Sequence, residues 1–273
     1  MTDDGRLTLM AVHAHPDDEA STTGGILAKY SAEGIRTVLV TCTNGEFGDS
    51  AGGSKPDSPD HDAGEVVAMR RKELAESCRI LGVTDLELLG YRDSGMMGWP
   101  QNDEPDAFWQ APVDAAADRL VELFEKYRPQ VVVTYDANGF YGHPDHIQAH
   151  RITVAALERS GIPSKLYFPC VPKSALEGFA ETLREAGIEQ PEVGADDFDF
   201  GTPDEQITSY IDCAPYTDTK YDALAAHGSQ TDNSFFLQLG RDVFARIFAT
   251  ESFVRAFDRT EAATPETDLF AGL

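Results

Sequence analysis

Leu7-Thr8-Leu9-Met10-Ala11-Val12 runs directly into His13-Ala14-His15-Pro16-Asp17-Asp18-Glu19. The first six residues read as a strand, and the polar cluster begins where that strand ends. Gly24 to Glu33 then has the pattern of a helix, with Gly34 just past its end as a stop. Arg36 to Thr43 follows, and its Val38-Leu39-Val40 marks a buried strand. A strand, a polar turn, a helix and a second buried strand together describe one βαβ unit.

The alternation continues outward from this unit. Glu65 to Leu81 carries Val66, Met69, Leu74, Cys78 and Leu81 near helical spacing, and Gly82 closes it. Leu86–Leu89 reads as a strand and Asp114–Tyr127 as a helix. Val131-Val132-Val133-Thr134-Tyr135 is the clearest buried strand of the chain. Asp145–Ser160 is helical and Lys165–Phe168 extended, while Tyr216–His227 and Phe235–Phe248 have helical patterns and Thr260–Leu273 an extended tail. The expected fold is α/β: a Rossmann-like, mostly parallel sheet flanked by helices, with a less regular C-terminal part. Residues 1–170 would form the Rossmann-like core, and residues 171–273 would complete the fold of a single domain. Tyr91 to Pro112, with three prolines and both tryptophans, reads as a long ordered loop or lid. Glu189 to Glu205, with Asp196, Asp197, Asp199 and Asp204, reads as a solvated acidic loop. In such sheets ligands bind beyond the carboxyl ends of strands, near the point where strand order reverses. A polar cluster just after a strand is therefore a better site candidate than one inside a helix.

Composition narrows the partners. Acidic residues number 47 and basic residues 22, a net charge of −25. A field of that sign repels phosphate backbones, which argues against nucleic acid and anionic membranes as partners. Cys42, Cys78, Cys170 and Cys213 form no CxxC pair, so they read as small buried residues of a reducing compartment. The start, Met1-Thr2-Asp3-Asp4, has no signal-peptide pattern, and no apolar run is long enough to span a bilayer. The cytoplasm is the expected location.

Two clusters carry the chemistry. The first is the His13–Glu19 run, and the second is Tyr141-Gly142-His143-Pro144-Asp145-His146, shortly after the Val131–Tyr135 strand. Each contains His-Pro-Asp. His15 and Asp18, three apart across the turn stiffened by Pro16, can converge on one metal, and a histidine of the second cluster would complete the set. Three protein ligands and one open position, which holds water, are the composition of a catalytic zinc site; zinc lowers the pKa of that water. Of Asp17 and Asp18, one would bind the metal and the other would sit over the water as a base. His143 and His146 divide similarly, one a ligand and one facing the substrate. The Tyr141 phenol could donate to a developing oxyanion. The parts fit metal-assisted hydrolysis of an amide or ester. His13 reads as a support for the ligands, His150 as a packed or solvated histidine, and His61 as a surface residue.

His15-Pro16-Asp17-Asp18-Glu19 with His143-Pro144-Asp145-His146 resembles the PIG-L/LmbE family of zinc-dependent N-deacetylases. The likeness is strongest to its actinobacterial mycothiol branch, which holds the N-acetylglucosaminyl-inositol deacetylase and the mycothiol S-conjugate amidase. Thr41–Glu46, Tyr91–Met96, Thr134–Gly139, His227-Gly228-Ser229-Gln230 and Glu266–Leu273 add to it. The resemblance implies His15, Asp18 and His146 as ligands of one zinc per chain, with iron(II) or another divalent metal able to fill the same site. It implies Asp17 as general base, His143 as an acid or a stabiliser of charge, and Tyr141 as the group polarising the carbonyl. Arg70 and Asp93 fall where the family contacts sugar and inositol hydroxyls. The implied substrate is a small N-acyl amino sugar, the implied reaction removal of an acetyl group from its nitrogen, and the family often assembles into homo-oligomers.

The sequence departs from the amidase at Ala20-Ser21-Thr22-Thr23, which lacks the lysine found there. The region holding Phe198 to Thr202, which shapes the pocket mouth in these enzymes, is also shorter. The mycothiol S-conjugate amidase is thus one alternative. Two others come from different classes. A non-heme iron oxygenase uses two histidines and a carboxylate, and a nucleotide-binding scaffold uses a Rossmann-like sheet. The second lacks support, because no GxGxxG follows the first strand and no GxxxxGK[ST] occurs.

Overall fold

A computed structural model describes residues 5–50, 52–188, 201–231 and 234–273. The chain runs β1 (Thr8–His13), α1 (Asp18–Ala32), β2 (Arg36–Thr43), α2 (Ala63–Leu81), β3 (Asp85–Tyr91), α3 (Val113–Tyr127), β4 (Val131–Val133), a single turn α4 (Gly139–Gly142), α5 (Pro144–Ser160) and β5 (Lys165–Cys170). Then come α6 (Lys173–Glu185), β6 (Ser209–Asp212), α7 (Thr217–Ala226), α8 (Ser234–Gln238), α9 (Arg241–Phe248) and β7 (Thr250–Asp258).

The strands form one seven-stranded sheet in the order β3-β2-β1-β4-β5-β7-β6. The first five run parallel, while β7 is antiparallel to both β5 and β6. The central strands are apolar on both faces, as a sheet covered by helices on both sides requires. Leu9, Ala11, Leu39, Val131 and Val133 pack on one face with Ile26, Leu27, Tyr30 and Leu74. Met10, Val12, Val38, Val40 and Val132 pack on the other with Leu120, Phe124 and Ile152. This alternation follows from the two-residue period of a strand. Each fully buried aliphatic or aromatic side chain contributes about 1.5–3 kcal/mol, so this interior is a rigid base for the loops above it.

The order of strands places the site. From β1 the chain steps outward to β2 and β3, then returns to the other side of β1 as β4 and continues to β5. The switch point lies between β1 and β4, which pair through Leu9–Val131, Met10–Val132 and Ala11–Val133. The two histidine clusters follow these two strands. Residues about 130 positions apart therefore meet at one end of the sheet (His15 and Asp145 are separated by 130).

The structure differs from the sequence reading in four places. Helix α1 begins at Asp18, six residues ahead of Gly24, because the Asp18 and Glu19 carboxylates suit a helix N-terminus. The expected helix Phe235–Phe248 is two helices, broken at Gly240, whose φ of 75° lies in the left-handed region. The C-terminal part is more regular than its pattern suggested, contributing α6 and two strands to the same sheet. The tail is a run of turns rather than extended chain; it buries Leu269 and Phe270, and Glu266 meets the Lys165 ammonium and Tyr167 hydroxyl. The acidic stretch falls outside the described residues from 189 to 200. Asp204 is exposed and accepts from Ser174. Tyr91–Pro112 is an ordered loop with two short 3-10 turns. All four cysteines are free, and three are buried. Among the described residues no helix is long and apolar enough to cross a membrane.

Candidate metal and catalytic site

At the carboxyl end of β1 the chain turns through Ala14–Asp17 before α1 begins. Asp18 sits in the first turn of α1, and its Oδ2 accepts from the His15 backbone N–H at 2.7 Å. This short loop folds the carboxylate back beside the His15 ring, with His15 Nδ1 and Asp18 Oδ2 3.4 Å apart. After β4 the second cluster arrives through α4 and the start of α5. Gly139, with φ 63°, opens this turn, and a Cβ there would lie 2.7 Å from the Ile147 backbone nitrogen. Only glycine fits so close an approach. His146, in the first turn of α5, places Nε2 3.3 Å from His15 Nδ1 and 3.5 Å from Asp18 Oδ1.

His15, Asp18 and His146 are all buried. Ligand atoms held tetrahedrally about 2.0–2.1 Å from a zinc ion lie roughly 3.3–3.4 Å from one another. The spacing of these three donors fits such an ion. Donor atoms of His143 also lie within 4.8 Å of those of His15 and His146. His143 is engaged elsewhere, however: it caps α5, and its Nδ1 accepts from the Asp145 N–H at 3.1 Å. The charge balance calls for a cation. Burial opposes a proton on His15, yet Asp93, Asp145 and Asp18 together raise its pKa well above the ordinary histidine value.

Groups behind the donors hold them in place. Asp145 is fully buried and accepts from His15 Nε2 at 3.1 Å, from the Ser94 N–H at 2.9 Å and from the Ser94 hydroxyl. The Tyr135 ring stacks on His146 with centroids 4.0 Å apart, and its hydroxyl accepts from the Ala14 N–H at 3.1 Å. His13 lies behind the donors as expected, with Nδ1 3.0 Å from the Tyr135 hydroxyl and Nε2 2.8 Å from that of Thr23. Such partners fix ligand orientation. His150 is partly buried against the Tyr135 carbonyl, and partly buried His61 meets the Gly48 carbonyl.

Asp17, Arg70, Asp93, Tyr141 and His143 line the same cavity of about 1560 Å³ as the three donors. Every site residue expected from the sequence is thus brought together. Asp17 has φ 121°, a region costly for a residue with a side chain. Burial pushes its pKa up to about 6, against the opposing pull of Arg70. Arg70 is less free than a substrate contact would be. It is 4% exposed, donates to the Gly45 carbonyl at 3.0 Å and to the Pro16 carbonyl, and pairs with Asp17 Oδ1 at 3.1 Å. Asp93 is buried and accepts from the Gly95 and Phe47 N–H groups. Tyr141 stands on the rim, 41% exposed.

The sequence reading gave no role to Asp145, Ser94, Tyr135, Glu19 or His227. The first and fourth stood inside the quoted motifs, and Tyr135 and His227 lay in the quoted stretches. What was invisible is which way each side chain turns.

Residues 10–157 match the family described as PIG-L: GlcNAc-PI de-N-acetylase. The chain belongs to this family. It is an enzyme that hydrolyses an amide bond, and the oxygenase and nucleotide-scaffold alternatives fall with that assignment. It is 45% identical over 278 residues to the 1D-myo-inositol 2-acetamido-2-deoxy-alpha-D-glucopyranoside deacetylase of Acidothermus cellulolyticus, covering 97% of this chain and 95% of the relative. Among solved structures it resembles the N,N'-diacetylchitobiose deacetylase of Pyrococcus horikoshii, with a TM-score of 0.60 and 22% identity over 96% of this chain and 88% of that one. It also resembles GalB, the 4-carboxy-2-hydroxymuconate hydratase of Pseudomonas putida, with a TM-score of 0.60 and 17% identity over 94% and 99% of the two chains. The same fold thus hosts deacetylation and hydration, and the reaction must be argued from the site.

Proposed function

We propose that this enzyme acts in the cytoplasm on N-acetylglucosamine joined to inositol, removing the acetyl group from the glucosamine nitrogen. Zinc would be held by His15, Asp18 and His146. The observation that carries this reading is the convergence of those three donors, 3.3–3.5 Å apart, on the cavity wall beside the Asp17 carboxylate. When bound there, the metal polarises the amide carbonyl and lowers the pKa of the attacking water.

The remaining work belongs to the chain's own groups. Asp17 takes the proton from the water and returns it to the departing amine; a pKa near 6 suits both transfers. His143 stays neutral, since burial and then the neighbouring His15 and His146 push its pKa down to about 2. With Nδ1 accepting from the Asp145 N–H, its proton sits on Nε2. His143 therefore serves as a neutral donor to developing negative charge rather than as the acid for the amine. Although the residue as a whole is 41% exposed, desolvation of the phenol on its cavity side, followed by the nearby carboxylates, pushes the Tyr141 pKa upward. The phenol remains protonated and donates to the carbonyl oxygen from the rim. Asp93, whose carboxylate accepts from two backbone N–H groups, offers an acceptor to sugar hydroxyls. Arg70 steadies Asp17 as well as facing the cavity.

The test is amine release from N-acetylglucosamine, N-acetylglucosaminyl-inositol and a mycothiol S-conjugate, with metal present and with metal chelated. Metal-dependent cleavage of the inositol glycoside ahead of the other two is expected. Preference for the S-conjugate would replace the deacetylase reading with the amidase one. No cleavage of any of the three by fully metallated protein would overturn both.

A further inference from the structure

Asp17 keeps an unfavourable backbone conformation, and the groups that hold it come from far along the chain. Its φ of 121° is one that residues with side chains rarely adopt. Its carbonyl accepts from the Ala20 and Ser21 N–H groups, both at 3.1 Å, as the first turn of α1 forms. Its N–H donates to Glu19 Oε2 at 3.0 Å. Glu19 is fully buried, and its other oxygen accepts from His227 Nε2 at 2.7 Å and from the Ser77 hydroxyl at 2.5 Å. His227 is 1% exposed, sits at the C-terminal end of α7 and lies 208 residues from Glu19 in sequence. His227 Nδ1 has no partner among the described residues, so the ring's one strong bond goes to Glu19.

Neither Glu19 nor His227 lines the cavity, whereas Asp17 does. A buried carboxylate with a histidine behind it, aimed at the strained Asp17 amide, reaches the reaction only through that amide. We propose that Glu19 and His227 form a positioning pair that locks the Asp17 backbone so that its carboxylate faces the reacting water. Rotating Asp17 back toward negative φ would swing Cβ, and the carboxylate with it, off the cavity. The pair also gives the C-terminal part a catalytic task, since His227 lies beyond the residues 10–157 matched by the family. This inference rests on Asp17 being the general base.

The experiment is a double-mutant cycle on the metallated full-length enzyme with N-acetylglucosaminyl-inositol. The variants are Glu19→Ala, Glu19→Gln, His227→Gln and Asp17→Asn, plus Glu19→Ala combined with Asp17→Asn. Bound metal and melting temperature are read for each. Glu19→Ala should lower kcat about 10–100-fold with KM within about threefold and metal content unchanged. Glu19→Gln, which keeps an acceptor for the Asp17 N–H, should recover most of that loss, and His227→Gln should lose less than Glu19→Ala. In the Asp17→Asn background Glu19→Ala should cost nothing further, because a group acting only through Asp17 has nothing left to position. Full additivity of the two substitutions, or a Glu19→Ala kcat within twofold of the parent, overturns the pair. Should Glu19→Ala fail to fold, His227→Gln decides, and unchanged kcat in that variant overturns the proposal. Near-normal turnover of Asp17→Asn would instead strike down the base assignment, an outcome distinct from failure of the pair alone.

Discussion

The two His-Pro-Asp tripeptides of this chain are identical in sequence and opposite in use. In the first, His15 points into the donor cluster, and Asp17 precedes α1 with positive φ and an oxygen toward the cavity. In the second, His143 caps α5 with its own ring, and Asp145 is buried completely, turned back onto His15 Nε2. The difference lies in where the helix begins. Helix α1 starts at Asp18, after the tripeptide, whereas α5 starts at Pro144, inside it. The helical frame of α5 carries Asp145 inward and His146 to the donor cluster; the looser frame before α1 leaves Asp17 to be placed by Glu19 and Arg70. Residue identity alone therefore assigns no role, and the register against the next helix does.

The largest effect should come from the donors, where the two motifs meet. Asp18→Ala or His146→Ala should abolish stoichiometric metal binding and reduce turnover to background, and chelation of the parent should do the same reversibly. Metal analysis alongside activity checks this. Full metal occupancy in Asp18→Ala would show that the first motif contributes only His15.

Next in size is the contrast between the two aspartates themselves. Asp17→Asn should lower kcat by about 10²–10⁴ with the metal retained. Asp145→Ala should instead weaken metal binding by about 10–100-fold, with turnover largely restored at saturating metal, because it removes the group orienting His15. Measuring metal affinity and saturated kcat for both separates the roles. If the two substitutions behaved alike, the comparison between the motifs would collapse.

How much of this was legible beforehand divides along the same line. The parallel sheet could be read because Val131-Val132-Val133 and Val38-Leu39-Val40 are buried on both faces and need no context to be recognised. Both clusters could be placed at strand ends for the same reason. Strands β6 and β7 are not legible because Ser209-Tyr210-Ile211-Asp212, at the sheet's far edge, and Thr250–Asp258, next to it, are only partly buried and polar residues interrupt the pattern. Helix α1 begins earlier than its apolar pattern suggests; Asp18 and Glu19 look like site residues rather than a first helical turn. Residue type and spacing point to His15, Asp17, Asp18, Tyr141, His143 and His146, whereas Arg70 and Asp93 enter only through the family resemblance, and Arg70 shows the limit. A position the resemblance assigns to sugar contact is, in the fold, an arginine 4% exposed and held by Gly45, Pro16 and Asp17.

Arg70 supplies the smallest and most selective prediction. Its cation lowers the Asp17 pKa against the rise that burial causes. A base works only when deprotonated, so kcat/KM should climb with pH through an acid limb and level off above it. That limb should fall at or below about 6 in the parent, because a bound divalent cation stabilises the same carboxylate further. In Arg70→Gln the pull is gone and the Asp17 pKa rises. The limb should move to higher pH, and on the acid side activity should fall about tenfold for each pH unit the limb travels. The loss should be smallest on the plateau, where Asp17 is ionised in both proteins. A role confined to gripping substrate would instead raise KM by one factor at every pH and leave the limb in place. A pH profile of kcat/KM for the two proteins therefore decides whether Arg70 belongs to the substrate or to the first motif's aspartate.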